Sequence, residues 1–285
     1  MTKDLNLDTI LYQNGSRLTL GEILQGYHNN ANILKTHTED EGIHTPTEFV
    51  DNTSFNKWYV DTTNGNDNND GSTSGKAWKT IQRAFNQMNH KKYLLTQTIQ
   101  LADGTYNETP SLVRFDGSFN LLGNSANATA VHITKGIKID RVKDNCFLDY
   151  IKISNASARG VDFSHLGFLR LRYCDISVTG NAVAFWVQNT IFSQVMNCTL
   201  NAAASASTYS GVSSIGTFCS IQSSTLNSGG APQIYSESGI VFLDSPTYSQ
   251  ISGTTYPYRL GQGGQVLPAG LDLIKMWDWY KAQNP

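Results

Sequence analysis

The sequence predicts a mainly β chain, a parallel β-helix (a solenoid) set between a short N-terminal helical, coiled-coil segment and a small C-terminal helical cap. A short string repeats along the second half. Gly160-Val161-Asp162-Phe163 echoes Gly136-Ile137-Lys138-Ile139, Ala182-Val183-Ala184-Phe185, Gly211-Val212-Ser213-Ser214 and Gly239-Ile240-Val241-Phe242, at steps of 24, 22, 29 and 28 residues between the β-branched positions. A second string lies between these copies. Phe168, Leu171, Cys174 and Ile176 align with Phe192, Val195, Cys198 and Leu200, and again with Phe218, Ile221, Ser224 and Leu226. Leu148, Ile151 and Ile153 fit one turn earlier, giving steps of 23, 24 and 26 residues. Interleaved ladders at one period mean a solenoid, because each repeat can bury its apolar face only against its neighbours. Helical repeats would need apolar runs of roughly 10–12 residues with a 3.6 period, and the sequence has none.

Composition agrees. The 285 residues are enough for one or two domains. Only 15% are charged and the net charge is −2, which gives neither a nucleic-acid footprint nor a call for an acidic partner. No apolar run approaches a membrane span, so membrane insertion is not expected. No basic-then-apolar signal peptide opens the chain, and the expectation is synthesis in a reducing cytoplasm. Ser, Thr, Asn and Gly dominate, as suits the turns and exposed faces of stacked rungs. Cys146, Cys174, Cys198 and Cys219 fall at apolar rung positions without C-x-x-C spacing. Cys174 and Cys198 take equivalent sites on neighbouring coils, about 4.8 Å apart. A disulfide there is conceivable, but buried free thiols are favoured, because free Cys packs as a small hydrophobe.

Taken in order, residues 1–18 are polar with scattered Leu and Ile and no clear period. A helix begins at Thr19, where Thr19 and Glu22 form a capping box. Leu20, Leu24, Tyr27, Ala31 and Leu34 then step 4, 3, 4, 3, the seam of a coiled coil. Two heptads are too short to stand alone, so this helix is expected to associate with its own copies. Residues 35–57 form a polar neck, completing a 19–57 segment. The solenoid is expected over residues 58–250 and a cap over 251–285. An open solenoid end exposes unpaired rung edges, so a cap is required. Leu271, Ile274, Trp277 and Tyr280 have the helical spacing to supply it.

The solenoid opens with Trp58-Tyr59-Val60-Asp61, then Gly65-Asn66-Asp67 and Asp70-Gly71. A helical stretch Ala77–Phe85 (with Trp78, Thr80, Ile81, Gln82 and Ala84) follows, and then Ile99 to Tyr106 with Ala102-Asp103-Gly104-Thr105-Tyr106. That order resembles the opening of right-handed parallel β-helix proteins of the pectate-lyase-like superfold. In these the helix caps the first coil. The resemblance is specific for fold and weak for function. Together with the short coiled coil and the neck His37–Pro46, it resembles a bacteriophage tail spike or tail fibre. Such proteins are homotrimers whose N-terminus docks to the virion, here residues 1–18 as the anchoring segment, and whose β-helix faces the host surface.

Candidate chemistry is sparse. A glycosidase needs two carboxyls roughly 5–9.5 Å apart, a spacing that adjacent rungs can provide. The ladder neighbours of Asp162 read as Lys138 and Ala184, those of Asp175 as Lys152 and Thr199, while Glu237 and Asp244 have no mate at a matching site. No catalytic residue is therefore assigned. If the chain is an enzyme, it is a polysaccharide hydrolase or lyase, and Lys138, Arg159, Asp162, His165, Arg170 and Arg172 are the groups a lyase would draw on. The Asp61–Gly71 loop mimics the start of an EF-hand, but Ala77 stands where the bidentate Glu is needed, so a turn is the simpler reading. His37 and His44 belong to no H-x-H pair; no metal and no cofactor is implied.

Glycan recognition needs aromatic faces for sugar C–H surfaces and short polar groups for hydroxyls. The longest inter-ladder segments, 201–210 and 227–238, are expected to stack on one flank as loops. They carry Tyr209, Gln233, Tyr235 and Glu237, and Trp186 and Gln188 lie one coil earlier. The expected function is that of a trimeric virion component contacting a bacterial surface polysaccharide. A capsule or O-antigen depolymerase and a head fibre or capsid decoration protein are the alternatives.

Overall fold

The structure, a computed structural model, describes residues 12–13, 16–17, 48–50, 56–155, 159–180, 182–205, 211–230, 233–243, 251–254 and 258–268. Backbone contacts divide the chain into two units, Met1–Thr47 and Glu48–Pro285. In the first, β1 (Tyr12–Gln13) pairs antiparallel with β2 (Ser16–Arg17). The seam residues Leu20, Leu24, Tyr27, Ala31 and Leu34 lie outside the described residues, as does the expected cap helix beyond residue 268.

The second unit is a parallel β-solenoid of about six turns. It begins with a small parallel pair, β3 (Glu48–Val50) with β5 (Lys91–Tyr93). Its rungs build three faces. The first face stacks β8 (Ser111–Phe115), the opening halves of β11 (Ile137–Asp149) and β13 (Val161–Arg172), β15 (Phe185–Gln188), β18 (Val212–Ile215), β21 (Ile234–Glu237) and β24 (Tyr258–Leu260). The second stacks β4 (Lys57–Val60), β6 (Gln97–Leu101), β9 (Phe119–Leu122), the closing halves of β11 and β13, β16 (Phe192–Met196), β19 (Phe218–Gln222), β22 (Ile240–Leu243) and β25 (Gln265–Pro268). The third stacks β7 (Gly104–Tyr106), β10 (Val131–Ile133), β12 (Lys152–Asn155), β14 (Asp175–Gly180), β17 (Thr199–Ser205), β20 (Thr225–Gly230) and β23 (Ile251–Thr254). The last strand of each face lies beyond residue 250, so the sheets run further than the 58–250 span expected from the repeats.

Strand alternation sends every second side chain inward. Leu171, Val195, Ile221 and Leu243 stack in register along the second face, and Ile153, Ile176, Leu200 and Leu226 along the third, all buried. The second sequence ladder thus has the register its spacing predicts. The first ladder keeps its predicted register only at its first step, where Ile137 pairs with Val161. Val161 pairs with Phe185 rather than Val183, and Val212 pairs with Ile234, while Ile240 belongs to the second face opposite Phe218. A slip of two residues keeps the same side chains inward, so alternation alone cannot fix it.

The chain bends between faces through single residues in the left-handed region. Arg141, His165 and Asn189 form one such corner (φ 57, 55 and 49°), and Tyr150, Tyr173, Asn197 and Ser223 the next (φ 61, 55, 52 and 48°). Unbranched residues fill both corners because a β-branched side chain would clash in this conformation. Cys174 and Cys198 are neighbours on successive rungs and are free, the Cys174 N–H donating to Cys198 Sγ at 3.4 Å.

The α-helix α1 (Ile81–Met88) begins four residues later than the Ala77 start read from sequence. Carboxylates explain the shift. Asp67 Oδ1 accepts from Lys79 N and Thr80 N, Thr80 Oγ1 caps Arg83 N, and the Glu108 carboxylate takes Ile81 N at 2.8 Å and Gln82 N at 2.9 Å. Three backbone N–H groups of the first turn are thereby satisfied. The helix buries Ile81, Ala84, Phe85 and Met88, with Phe85 meeting Phe119 edge-on at 6.0 Å.

Candidate functional site

The outward residues of the first face form continuous columns. Lys138, Asp162, Trp186, Ser213, Tyr235 and Arg259 stand in register on successive strands. Beside them run Asp140, Ser164, Gln188, Ile215 and Glu237. Neighbouring strands lie about 4.8 Å apart, which sets Trp186 and Tyr235, two strands apart, about 10 Å apart along the axis.

Four of the six residues expected to contact glycan come together here: Trp186, Gln188, Tyr235 and Glu237. Tyr209 lies outside the described residues. Gln233 is a correction, since it is wholly buried at the entry to β21. Gly211 leaves it room: a Cβ there would meet the Gln233 side chain at 2.5 Å. The expected loop flank is also revised. Residues 201–205 and 227–230 are strand, in β17 and β20 of the third face, whereas Tyr235 and Glu237 belong to β21 of the first.

Local contacts hold these groups. Arg159 Nη1 donates to Asp162 Oδ1 at 2.9 Å, and its guanidinium lies 3.6 Å from the Trp186 ring centre. Asp162 therefore pairs with Arg159, although Lys138 stands opposite it in the ladder. Tyr235 donates its hydroxyl to Glu237 Oε2 at 2.5 Å. Ser213, between the two aromatic rungs, is wholly buried with an unpartnered hydroxyl.

A polar cluster adjoins the columns at the first corner. Asp140 Oδ1 accepts from Ser164 Oγ at 2.8 Å and faces His165 Nδ1 at 3.0 Å, while Oδ2 accepts from Arg141 Nε at 2.8 Å. Burial pushes the Asp140 pKa up, but the hydrogen bonds from His165, Ser164 and Arg141 outweigh it and hold the carboxyl below its ordinary value. His165 Nε2 lies 3.3 Å from Asn189 Nδ2. Donation by that amide leaves Nε2 as the lone-pair nitrogen and Nδ1 as the protonated one. Asp140 and Asn189 were not singled out from sequence; Asn189 shares the corner position of His165 on the next rung, and Asp140 stands one residue before that corner on the preceding rung.

A cleft of about 440 Å³ opens at the start of the solenoid, lined by Trp58, Asn68, Asn69, Asp70, Trp78, Arg83 and Gln87. Trp58 and Trp78 stack there at 5.0 Å. The adjoining loop behaves as a turn, with its carboxylates committed locally. Asp61 accepts from Thr63 N and Asn64 N, Asp67 from Lys79 N and Thr80 N, and Asp70 from Ser72. Among the described residues, no group of three His, Cys, Asp or Glu is placed to hold a metal ion, and no helix is long and apolar enough to cross a membrane.

Compared with protein-family models, with curated proteins and with solved structures, the chain gives no match. Its class is therefore defined by its own architecture, a parallel β-solenoid carrying an aromatic and polar outer face.

Proposed function

We propose that this chain is a bacteriophage virion protein, a tail spike or tail fibre, whose solenoid contacts a bacterial surface glycan. In this reading the solenoid is a right-handed β-helix of the pectate-lyase-like superfold. The chain acts as a homotrimer joined through the Leu20–Leu34 seam, with residues 1–18 meeting other virion proteins. The observation that carries the reading is the first-face column. Trp186 and Tyr235 stand two rungs apart, flanked by Arg159, Asp162, Gln188 and Glu237. Aromatic faces with short polar groups suit sugar rings presented as a chain. Binding of the purified full-length protein to immobilised bacterial surface polysaccharides is the test. Trp186→Ala is expected to weaken binding to the responsive polysaccharide by about tenfold, the loss of roughly 1.4 kcal/mol. Undiminished binding by the variant overturns the assignment of the face.

One observation favours a second reading, a glycan depolymerase. The Asp140–His165 pair, at 3.0 Å, fixes a histidine with its lone-pair nitrogen turned away from the carboxylate. That is the arrangement of a general base once a substrate proton replaces the Asn189 amide at Nε2. Release of oligosaccharide from a bound polysaccharide, abolished by His165→Ala, distinguishes it from binding alone.

A further inference from the structure

The second corner carries a different set of groups. Tyr150 and Tyr173 occupy the same corner position on successive rungs, their rings parallel within 4° and 5.0 Å apart. Gly123 stands one rung before Tyr150 and offers no side chain to stack on it. Tyr173 is 42% exposed. Immediately before these residues, on the outer side of the second face, Asp149 lies opposite Arg172, and Phe147 opposite Arg170. Asp149 Oδ2 accepts from Arg172 Nη2 at 2.8 Å and from Arg170 Nη2 at 3.0 Å. The Arg170 guanidinium lies 4.0 Å from the Phe147 ring centre, and that of Arg172 lies 5.8 and 5.9 Å from the Tyr150 and Tyr173 ring centres.

This is not a closed ion pair. One carboxylate faces two guanidinium groups, leaving an excess positive charge at the corner. Both arginines converge on a single oxygen, whereas a bidentate pair would engage both. Asp149 Oδ1, Arg170 Nε and Arg172 Nε are buried without partners. Each guanidinium has five N–H donors, and Asp149 takes one from each. Asp149, whose side chain is only 3% exposed, thus orients the arginines without neutralising them, while their own side chains remain 23% and 35% exposed. A flat aromatic stack beside an uncompensated, oriented cation matches a ligand with an apolar ring face and an attached anion.

We propose that Tyr150, Tyr173, Arg170 and Arg172 form a binding site for a carboxylate-bearing sugar, a uronic acid unit of an acidic glycan. The site lies on a different corner from the Trp186–Tyr235 column and stands whether or not that column binds sugar. A free inorganic anion shares the charge but has no ring to place on the tyrosines, so the two separate experimentally.

The test is titration of the full-length protein with methyl glucuronide, methyl glucoside and sulfate, followed by ligand-observed NMR. Methyl glucuronide is expected to bind, with methyl glucoside weaker by about tenfold, the scale of one charge-assisted contact. Arg172→Gln is expected to remove that preference. Tyr173→Ala, at an exposed position that folding tolerates, is expected to weaken glucuronide binding by about tenfold. Lys79→Ala, exposed and outside both sites, is expected to leave glucuronide binding unchanged, and polysaccharide binding by Trp186→Ala is read separately, which keeps this site's failure distinct from that of the first face. Equal binding of glucuronide and glucoside, no glucuronide binding, or glucuronide binding by Tyr173→Ala as tight as by the wild type overturns the proposal, the last outcome leaving an anion site only.

Discussion

Replacing Phe185 by Ala tests the register of the first face, where structure and repeat spacing disagree. Phe185 is wholly buried and meets Phe163 of the preceding rung edge-on, with ring centres 6.3 Å apart. Removing a buried phenyl ring costs about 3–5 kcal/mol in transfer and cavity terms. Val183, the residue that spacing alone puts in this column, is 5% exposed and lies outside the main core cluster. Val183→Ala removes a smaller group and is expected to cost about 2 kcal/mol, from about 0.8 kcal/mol per buried carbon. With a urea m-value of about 2 kcal/mol/M, Phe185→Ala should lower the unfolding midpoint by about 2 M and Val183→Ala by about 1 M. Urea titration followed by far-ultraviolet circular dichroism reads both. A Val183→Ala loss equal to or larger than that of Phe185→Ala would refute the register and the core assignment drawn from it.

Acid stability should depend on Asp140. Its folded pKa is depressed, so its contribution is fully present above the ordinary value of 3.8 and is lost as pH falls through the lower folded value. Thermal melts across that acid limb should show a shallower decline for Asp140→Asn than for the wild type; parallel declines would remove Asp140 as the cause. The cysteines should be inert in the native protein. All four are free and buried, and burial pushes the Cys146 and Cys198 thiols up and Cys219 up to about 12. Titration with a thiol reagent at neutral pH should label none before unfolding and all four in denaturant. Rapid native labelling would contradict the packing, and recovery of only half the thiols would show that Cys174 and Cys198 are joined.

The second ladder was legible because Phe168, Leu171, Cys174 and Ile176 recur with nearly constant internal spacing, so only one register aligns them all. The first ladder rested on shorter strings. There a two-residue slip at Val183 left the inward pattern intact, and Gly239-Ile240 imitated a motif it does not belong to. Trp186, Gln188, Tyr235 and Glu237 could be grouped from sequence, since the period places them on nearby rungs. The burial of Gln233 could not, since it depends on the space left by Gly211 on another rung. The Arg159–Trp186 and Asp140–His165 contacts join residues 27 and 25 positions apart, and which groups meet depends on where each corner turns.

Periodicity fixed the solenoid, because a repeat with one apolar face per strand has no other way to bury it than stacking on its neighbours. Composition fixed the polar, weakly charged exterior. The tertiary structure alone set the register of the first face, the corners at which left-handed residues turn the chain, and the convergence of Arg170 and Arg172 on one oxygen of Asp149. These depend on positions to within one rung spacing and one side-chain direction, and a hydrophobic pattern of period two carries neither.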